Sequence, residues 1–202
     1  MENIVLASAS PRRKQLMRFL GVPFIVKPSP VDEKQLVLSG PPSQQVMDAA
    51  QAKAEAVAAT ERDQWVLAAD TVVCIDGKIL GKPEDRADAR RMLAMLSGIM
   101  HVVTTGLCLI RLGLPSPPAV YEETKVWMMP LSEAQILSYI DTGEPMDKAG
   151  AYGIQGYGSV WIPRIEGCYF NVMGLPIFRV ARLMEEAGIG PVMPSEEGGA
   201  GD

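Results

Sequence analysis

Along this chain, short β-favouring runs alternate with stretches whose apolar residues recur every three to four positions, the pattern of strands interleaved with amphipathic helices. Residues 3–7 predict a first strand. Ser10-Pro11 then supplies an N-cap and a first helical position, with Leu16, Met17 and Leu20 on one face and Gly21 as the stop. Residues 24–27 predict a second strand, 28–42 a Pro, Ser and Gly-bearing loop that carries Asp32 and Glu33, and 43–60 a helix striped by Val46, Ala50, Ala54 and Val57. Residues 65–69 are continuously apolar and too few for a helix. They predict a buried strand that ends at Asp70-Thr71.

Asp76-Gly77 predicts a hairpin joining residues 71–75 to 78–80. Asp85 can cap a helix through Met92, Leu93 and Leu96, stopped at Ser97-Gly98. Residues 102–112 and 120–129 predict two strands, and Ser132 with Gln135 forms a capping box for a helix bearing Ile136, Tyr139 and Ile140. Residues 143–158 break the pattern: Gly143, Gly150, Gly153, Gly156 and Gly158 stand among polar residues, a composition suited to backbone approaching a ligand. Residues 160–165 return to a strand pattern and Pro176 opens a last helix that ends at Gly188. The expected organisation is a single α/β domain over residues 1–190 with a central cleft, followed by a frayed tail over 191–202.

Composition narrows the chemistry. The 202 residues, 48% of them hydrophobic, are enough for one sizeable core or two packed lobes that share a sheet. Nineteen Lys and Arg against twenty-four Asp and Glu give a charge of −5, which excludes a broad cationic footprint for nucleic-acid polymers. An anion must therefore be held by a local cluster. Three widely spaced cysteines fit neither a disulfide framework nor a metal motif and point to the cytoplasm, and no apolar run is long enough to span a membrane. The lone His101 leaves histidine-centred catalysis without partners.

Two segments carry candidate chemistry. In residues 6–14, Arg12, Arg13 and Lys14 crowd a helix start that ordinarily prefers acids. With Ser8, Ser10 and unpaired amides they fit a phosphate cradle, or equally a capped helix with a solvated basic face. Asp70 closes an apolar strand, where open α/β sheets place ligand-binding groups, although an Asx turn meets the same spacing. Glu33, Lys53, Lys82 and Asp147-Lys148 each fit a solvated surface charge and matter only if the fold gathers them. Gln155, between glycines, offers an amide donor and acceptor to a base edge.

Taken in order, residues 6–13 (Leu-Ala-Ser-Ala-Ser-Pro-Arg-Arg), 69–72 (Ala-Asp-Thr-Val), 81–83 (Gly-Lys-Pro), 92–98, the long run 143–156 (Gly-Glu-Pro-Met-Asp-Lys-Ala-Gly-Ala-Tyr-Gly-Ile-Gln-Gly) and 171–176 resemble the Maf family of nucleoside triphosphate pyrophosphatases. The resemblance spans nearly the whole chain. It implies an elongated, two-lobed α/β fold with a mixed, strongly bent sheet flanked by helices, akin to the inosine-triphosphatase superfamily. It also implies hydrolysis of a nucleoside triphosphate to the monophosphate and pyrophosphate.

Carried over position by position, the resemblance makes Asp70 the proton acceptor, lines the phosphate pocket with Ser8, Arg13, Lys53 and Lys82, and puts Glu33 near the metal. Arg12, Thr71 and Gln155 match the branch acting on dTTP and UTP rather than on methylated guanine nucleotides. A divalent cation, Mg²⁺ or Mn²⁺, held by Asp70 and Glu33 is expected, because carboxylate and phosphate oxygens suit a hard ion. A homodimer is a further implication. The alternatives are a nucleotide-binding regulator of cell division and the same hydrolysis on a methylated guanine nucleotide.

Overall fold

The structure is a computed structural model that describes residues 4–61 and 63–190. The tail expected over 191–202 lies outside the described residues. Seven strands form one mixed sheet in the order β2-β1-β3-β5-β6-β7, with β4 beside β3. Strands β1 (Ile4–Leu6), β2 (Phe24–Val26) and β3 (Trp65–Ile75) pair in parallel; β4 (Lys78–Leu80), β5 (Met100–Ile110), β6 (Val120–Trp127) and β7 (Arg164–Glu166) add antiparallel ladders. The helices are α1 (Pro11–Met17), α2 (Pro42–Ala58), α3 (Arg86–Leu96), α4 (Glu133–Asp141), α5 (Tyr169–Val172) and α6 (Ile177–Glu186).

The side-chain alternation of strands sorts the core into three clusters. Val66 and Ala68 of β3, with Val5 and Cys108, pack under the Ala50, Ala54 and Val57 stripe of α2 on one face. On the other face, Trp65, Leu67, Ala69, Leu107 and Leu109 pack with Leu16, Met17, Val180 and Leu183 of α1 and α6. Further along that same face, Val73, Ile75 and Val103 meet Leu93, Leu96, Ile136 and Ile140 of α3 and α4. The long strands β3 and β5 thus run through two lobes, and a cleft lies between them.

Four expectations change. Strand β3 does not end at Asp70, because its ladder with β5 continues unbroken from Val66↔Ile110 to Cys74↔Val102. What ends is pairing on its other edge: β1 leaves at Leu67 and β4 joins at Val73. The cleft opens at that gap. The strand expected over 160–165 starts later: residues 156–161 form a 3-10 turn, and only Arg164–Glu166 pairs with β6. Gly156, with φ of +80°, starts that turn, and Pro163, which has no N–H to give a ladder, delays the strand. The short helix α5 escaped the sequence pattern, being a single turn. Lys53 is buried, not solvated. The capping box at Ser132 and the left-handed Asp76-Gly77 turn are as expected.

Candidate active site

One cavity of about 660 Å³ fills the gap between the lobes, a volume within the range of small-molecule sites. Ser8, Arg12, Arg13, Glu33, Lys53, Asp70, Thr71, Lys82 and Gln155 all line it. Residues more than 140 positions apart in sequence therefore converge on one place.

The buried ammonium of Lys53 organises the floor. It reaches from α2 to donate to Asp70 Oδ1 at 2.6 Å and to Glu33 Oε1 at 2.5 Å. Lys82, across the cleft, stands 3.7 Å from Glu33 Oε2. Burial pushes the Glu33 carboxyl up, but the hydrogen bond and charge of Lys53, with Lys82 and Arg13, outweigh it and hold the group below the usual glutamate range. Two carboxylates thus share one buried ammonium, and a second, more exposed ammonium faces them across the cleft.

Arg13 takes an unexpected position. Its Nε donates to Gly174 O at 2.8 Å, Nη1 to Ala69 O at 2.9 Å and Ser8 Oγ at 3.3 Å, and Nη2 to Thr71 Oγ1 at 2.9 Å. Burial draws this guanidinium below the ordinary arginine value, against the raising charges of Asp70 and Glu33. The planar fork bridges α1, the open edge of β3 and the 174 loop through neutral acceptors. It braces the cleft wall rather than offering a free bidentate face. Ser8 Oγ accepts from Ser10 N at 3.2 Å as well, which among the described residues leaves its O–H to donate to a ligand.

The crowded cations at the helix start thus separate. Arg13 turns inward, Lys14 is exposed, and Arg12 crosses to the glycine segment, where Nη1 meets Asp147 Oδ2 at 2.9 Å and Nη2 meets Asp147 O at 3.2 Å. Thr71 lies on the face opposite to Asp70 because the two are consecutive in a strand. Its hydroxyl continues a chain from Arg13 to Thr105 Oγ1 at 3.0 Å and on to the buried Asn171 carbonyl at 3.2 Å. Gln155 makes no side-chain hydrogen bond among the described residues, so its amide keeps both functions for a ligand.

The glycine segment is shaped by Glu144. Its Oε1 accepts from Tyr139 OH at 2.8 Å and Gly158 N at 3.3 Å, and its Oε2 from Tyr157 N at 2.9 Å. Gly156 takes a φ of +80°, a conformation that favours glycine, and a Cβ there would also crowd Oε2 at 2.5 Å. Sequence reasoning missed Glu144 altogether and left Asp147 and Lys148 as scattered charges. The usable signal was the density of charges inside a glycine-rich run.

Among the described residues no three His, Cys, Asp or Glu groups gather to hold a metal ion. Asp70 and Glu33 supply two carboxylates, and one or two carboxylates completed by substrate phosphates is how Mg²⁺ is commonly held. The donor set therefore fits an ion arriving with a phosphorylated ligand, not a resident all-protein cage.

A model described as Maf-like protein matches residues 3–187. A dTTP/UTP pyrophosphatase of Koribacter versatilis is 50% identical over 186 residues, covering 92% of this chain and 95% of that protein. One of Symbiobacterium thermophilum is 46% identical over 201 residues, covering 100% of each. Among solved structures, the Staphylococcus aureus Ham1 protein aligns over 80% of each chain with a TM-score of 0.46 and 14% identity. On a family match that spans almost the whole described chain, this protein belongs to the Maf-like family.

Proposed function

We propose that this protein is a nucleoside triphosphate pyrophosphatase that converts dTTP and UTP to the monophosphate and pyrophosphate. The carrying observation is the Lys53-centred pair of Asp70 and Glu33 on the floor of a cleft lined by all nine anticipated residues. The printed activity of relatives 46–50% identical over nearly the full chain points the same way.

The reaction joins a water oxygen to the α-phosphorus as the bridging P–O bond to the β-phosphate breaks and pyrophosphate leaves. Lys53 holds Asp70 by Oδ1, so Oδ2 is the oxygen that orients the water and accepts its proton. Charge grows on the leaving phosphate oxygens and is met by Lys82 and by the cationic environment of Lys53. Glu33 and Asp70 are the residues that would hold Mg²⁺ or Mn²⁺, whose chemistry is to neutralise phosphate oxygens. Gln155 can match the paired donor and acceptor edge of uracil or thymine, and Arg12 can add a carbonyl contact. Among the described residues no helix is long and apolar enough to cross a membrane. A cytosolic location and a homodimer belong to the same reading.

Pyrophosphate release across a panel of nucleoside triphosphates, with Asp70→Asn beside the parent, tests it. Preferred turnover of dTTP and UTP is expected, with a loss of about 10²- to 10⁴-fold in Asp70→Asn and nucleotide binding retained. Equal turnover by the two proteins would overturn the role of Asp70. Binding of dTTP without pyrophosphate release at any Mg²⁺ concentration would make the cleft a sensor instead.

A further inference from the structure

The ion pair between Arg12 and Asp147 joins residues 135 positions apart and spans the two walls of the cleft. Arg12 is anchored at two points, by Oδ2 and by the backbone carbonyl of the same residue, and among the described residues its hydrogen bonds go nowhere else. The remaining donors of its fork are free for a ligand, and their direction is set by the plane that Asp147 imposes. Asp147 is in turn fixed from behind, its Oδ1 accepting from Lys148 Nζ at 2.7 Å. Lys148 is itself tied to Glu144 O at 2.5 Å and lies against Gly153, where a Cβ would come within 2.8 Å of its Cε. One rigid chain of contacts therefore runs from Glu144, which shapes the turn beside Gln155, through Lys148 and Asp147 to Arg12.

We infer that Asp147 is a positioning residue for base selection: by clamping Arg12 relative to the Gln155 loop, it sets the distance between the two side chains that discriminate one nucleobase from another. The inference rests on the proposed pyrophosphatase reading for its substrate and names a cleft-lining residue that acts by holding Arg12. Asp147 is half-exposed, so its loss need not unfold the protein. Backbone anchorage of Arg12 survives substitution at 147, so the side chain alone is tested.

The test is a double-mutant cycle of Asp147→Ala, Arg12→Ala and the double variant, with Asp147→Glu as the conservative control. Initial rates of pyrophosphate release from UTP, dTTP, CTP and GTP are the first readout, and equilibrium titration with UTP and GTP the second. Asp147→Ala should lower kcat/KM for UTP about tenfold, mainly through KM, and compress the UTP to GTP ratio by a similar factor. Asp147→Glu should restore part of that ratio, and Asp147→Ala should add nothing once Arg12 is alanine. An unchanged ratio in Asp147→Ala, or full additivity in the double variant, would overturn the inference. If the parent releases no pyrophosphate, the hydrolytic reading fails by itself, and the same cycle read in Kd still decides the role of Asp147. A parent that binds UTP and GTP equally overturns the role of Asp147 in base selection and leaves the hydrolytic reading to the pyrophosphate assay.

Discussion

Gly106 stands directly opposite Asp70 in the β3–β5 ladder, and there helix α2 rests on the sheet. A Cβ on Gly106 would lie 2.3 Å from the carbonyl oxygen of Val46 and 2.6 Å from the amide nitrogen of Met47. Both are backbone atoms of α2 and neither can swing aside. The missing side chain lets the helix descend far enough for Lys53, two turns further on, to reach Asp70.

Gly106→Ala is therefore expected to lift α2 and to destabilise the fold by about 3 kcal/mol, at the upper end of overpacking costs. In a chain of this length that corresponds to a fall in Tm of roughly 6 to 12 °C. Turnover should fall with it, because Lys53 would lose its reach. A thermal melt that matches the parent would show that the helix does not press on the sheet at Gly106.

Removing the buried cation has a different signature. Lys53→Met keeps length and apolar character but leaves Asp70 and Glu33 without their shared partner. A loss of about 2 to 3 kcal/mol is expected, below the usual range for a broken buried pair because Glu33 is half-exposed. In the parent, the lowered Glu33 value adds stability that is present above the ordinary glutamate pKa and is lost as pH falls through the folded value. In Lys53→Met the burial of Glu33 acts with less opposition, so its carboxyl should titrate at higher pH. Carbon-detected NMR of the Glu33 side chain checks this; an unmoved titration would mean that Lys53 is not the dominant cation.

The only histidine offers a stability prediction independent of catalysis. His101 is buried on β5, its Nε2 2.7 Å from the hydroxyl of Tyr152, a cleft-lining residue. Burial pulls its pKa down to about 4, against the raising influence of the Ile99 backbone carbonyl. The unfolded chain takes up a proton near pH 6.5 that the folded chain refuses, so this stability is complete above about pH 6.5 and drains away towards pH 4. The span corresponds to about 3 kcal/mol. Urea unfolding of the parent and His101→Gln at pH 7.5 and 4.5 should show the variant weaker at the higher pH and the gap narrowed by about that amount at the lower. A constant gap would exclude histidine protonation as its source.

Much of the local structure is written in local chemistry. The Ser10-Pro11 start, the Ser132 and Gln135 capping box, the Asp85 cap and the left-handed Asp76-Gly77 turn involve partners within a few residues, so periodicity and turn rules reach them. Seven of the nine candidate site residues stand in contiguous motifs that tie residue types to positions, whereas Glu33 and Lys53 stand outside them and were placed only by the resemblance; all nine line the one cleft.

Tertiary structure decided what each of those residues faces. Whether β3 stops at Asp70 depends on its neighbours, since the β5 ladder carries it onward while the far edge is left open between β1 and β4. Whether Arg13 is a free anion clamp or a brace depends on the carbonyls of Ala69 and Gly174, 56 and 161 positions away. The link from Arg12 to Asp147, and the burial of Lys53 between two acids, have the same character. Hydrogen bonds over such separations leave no periodic trace in a sequence. They exist only once the sheet has brought distant segments within three ångströms, and there the choice between a solvated charge and a functional one is made.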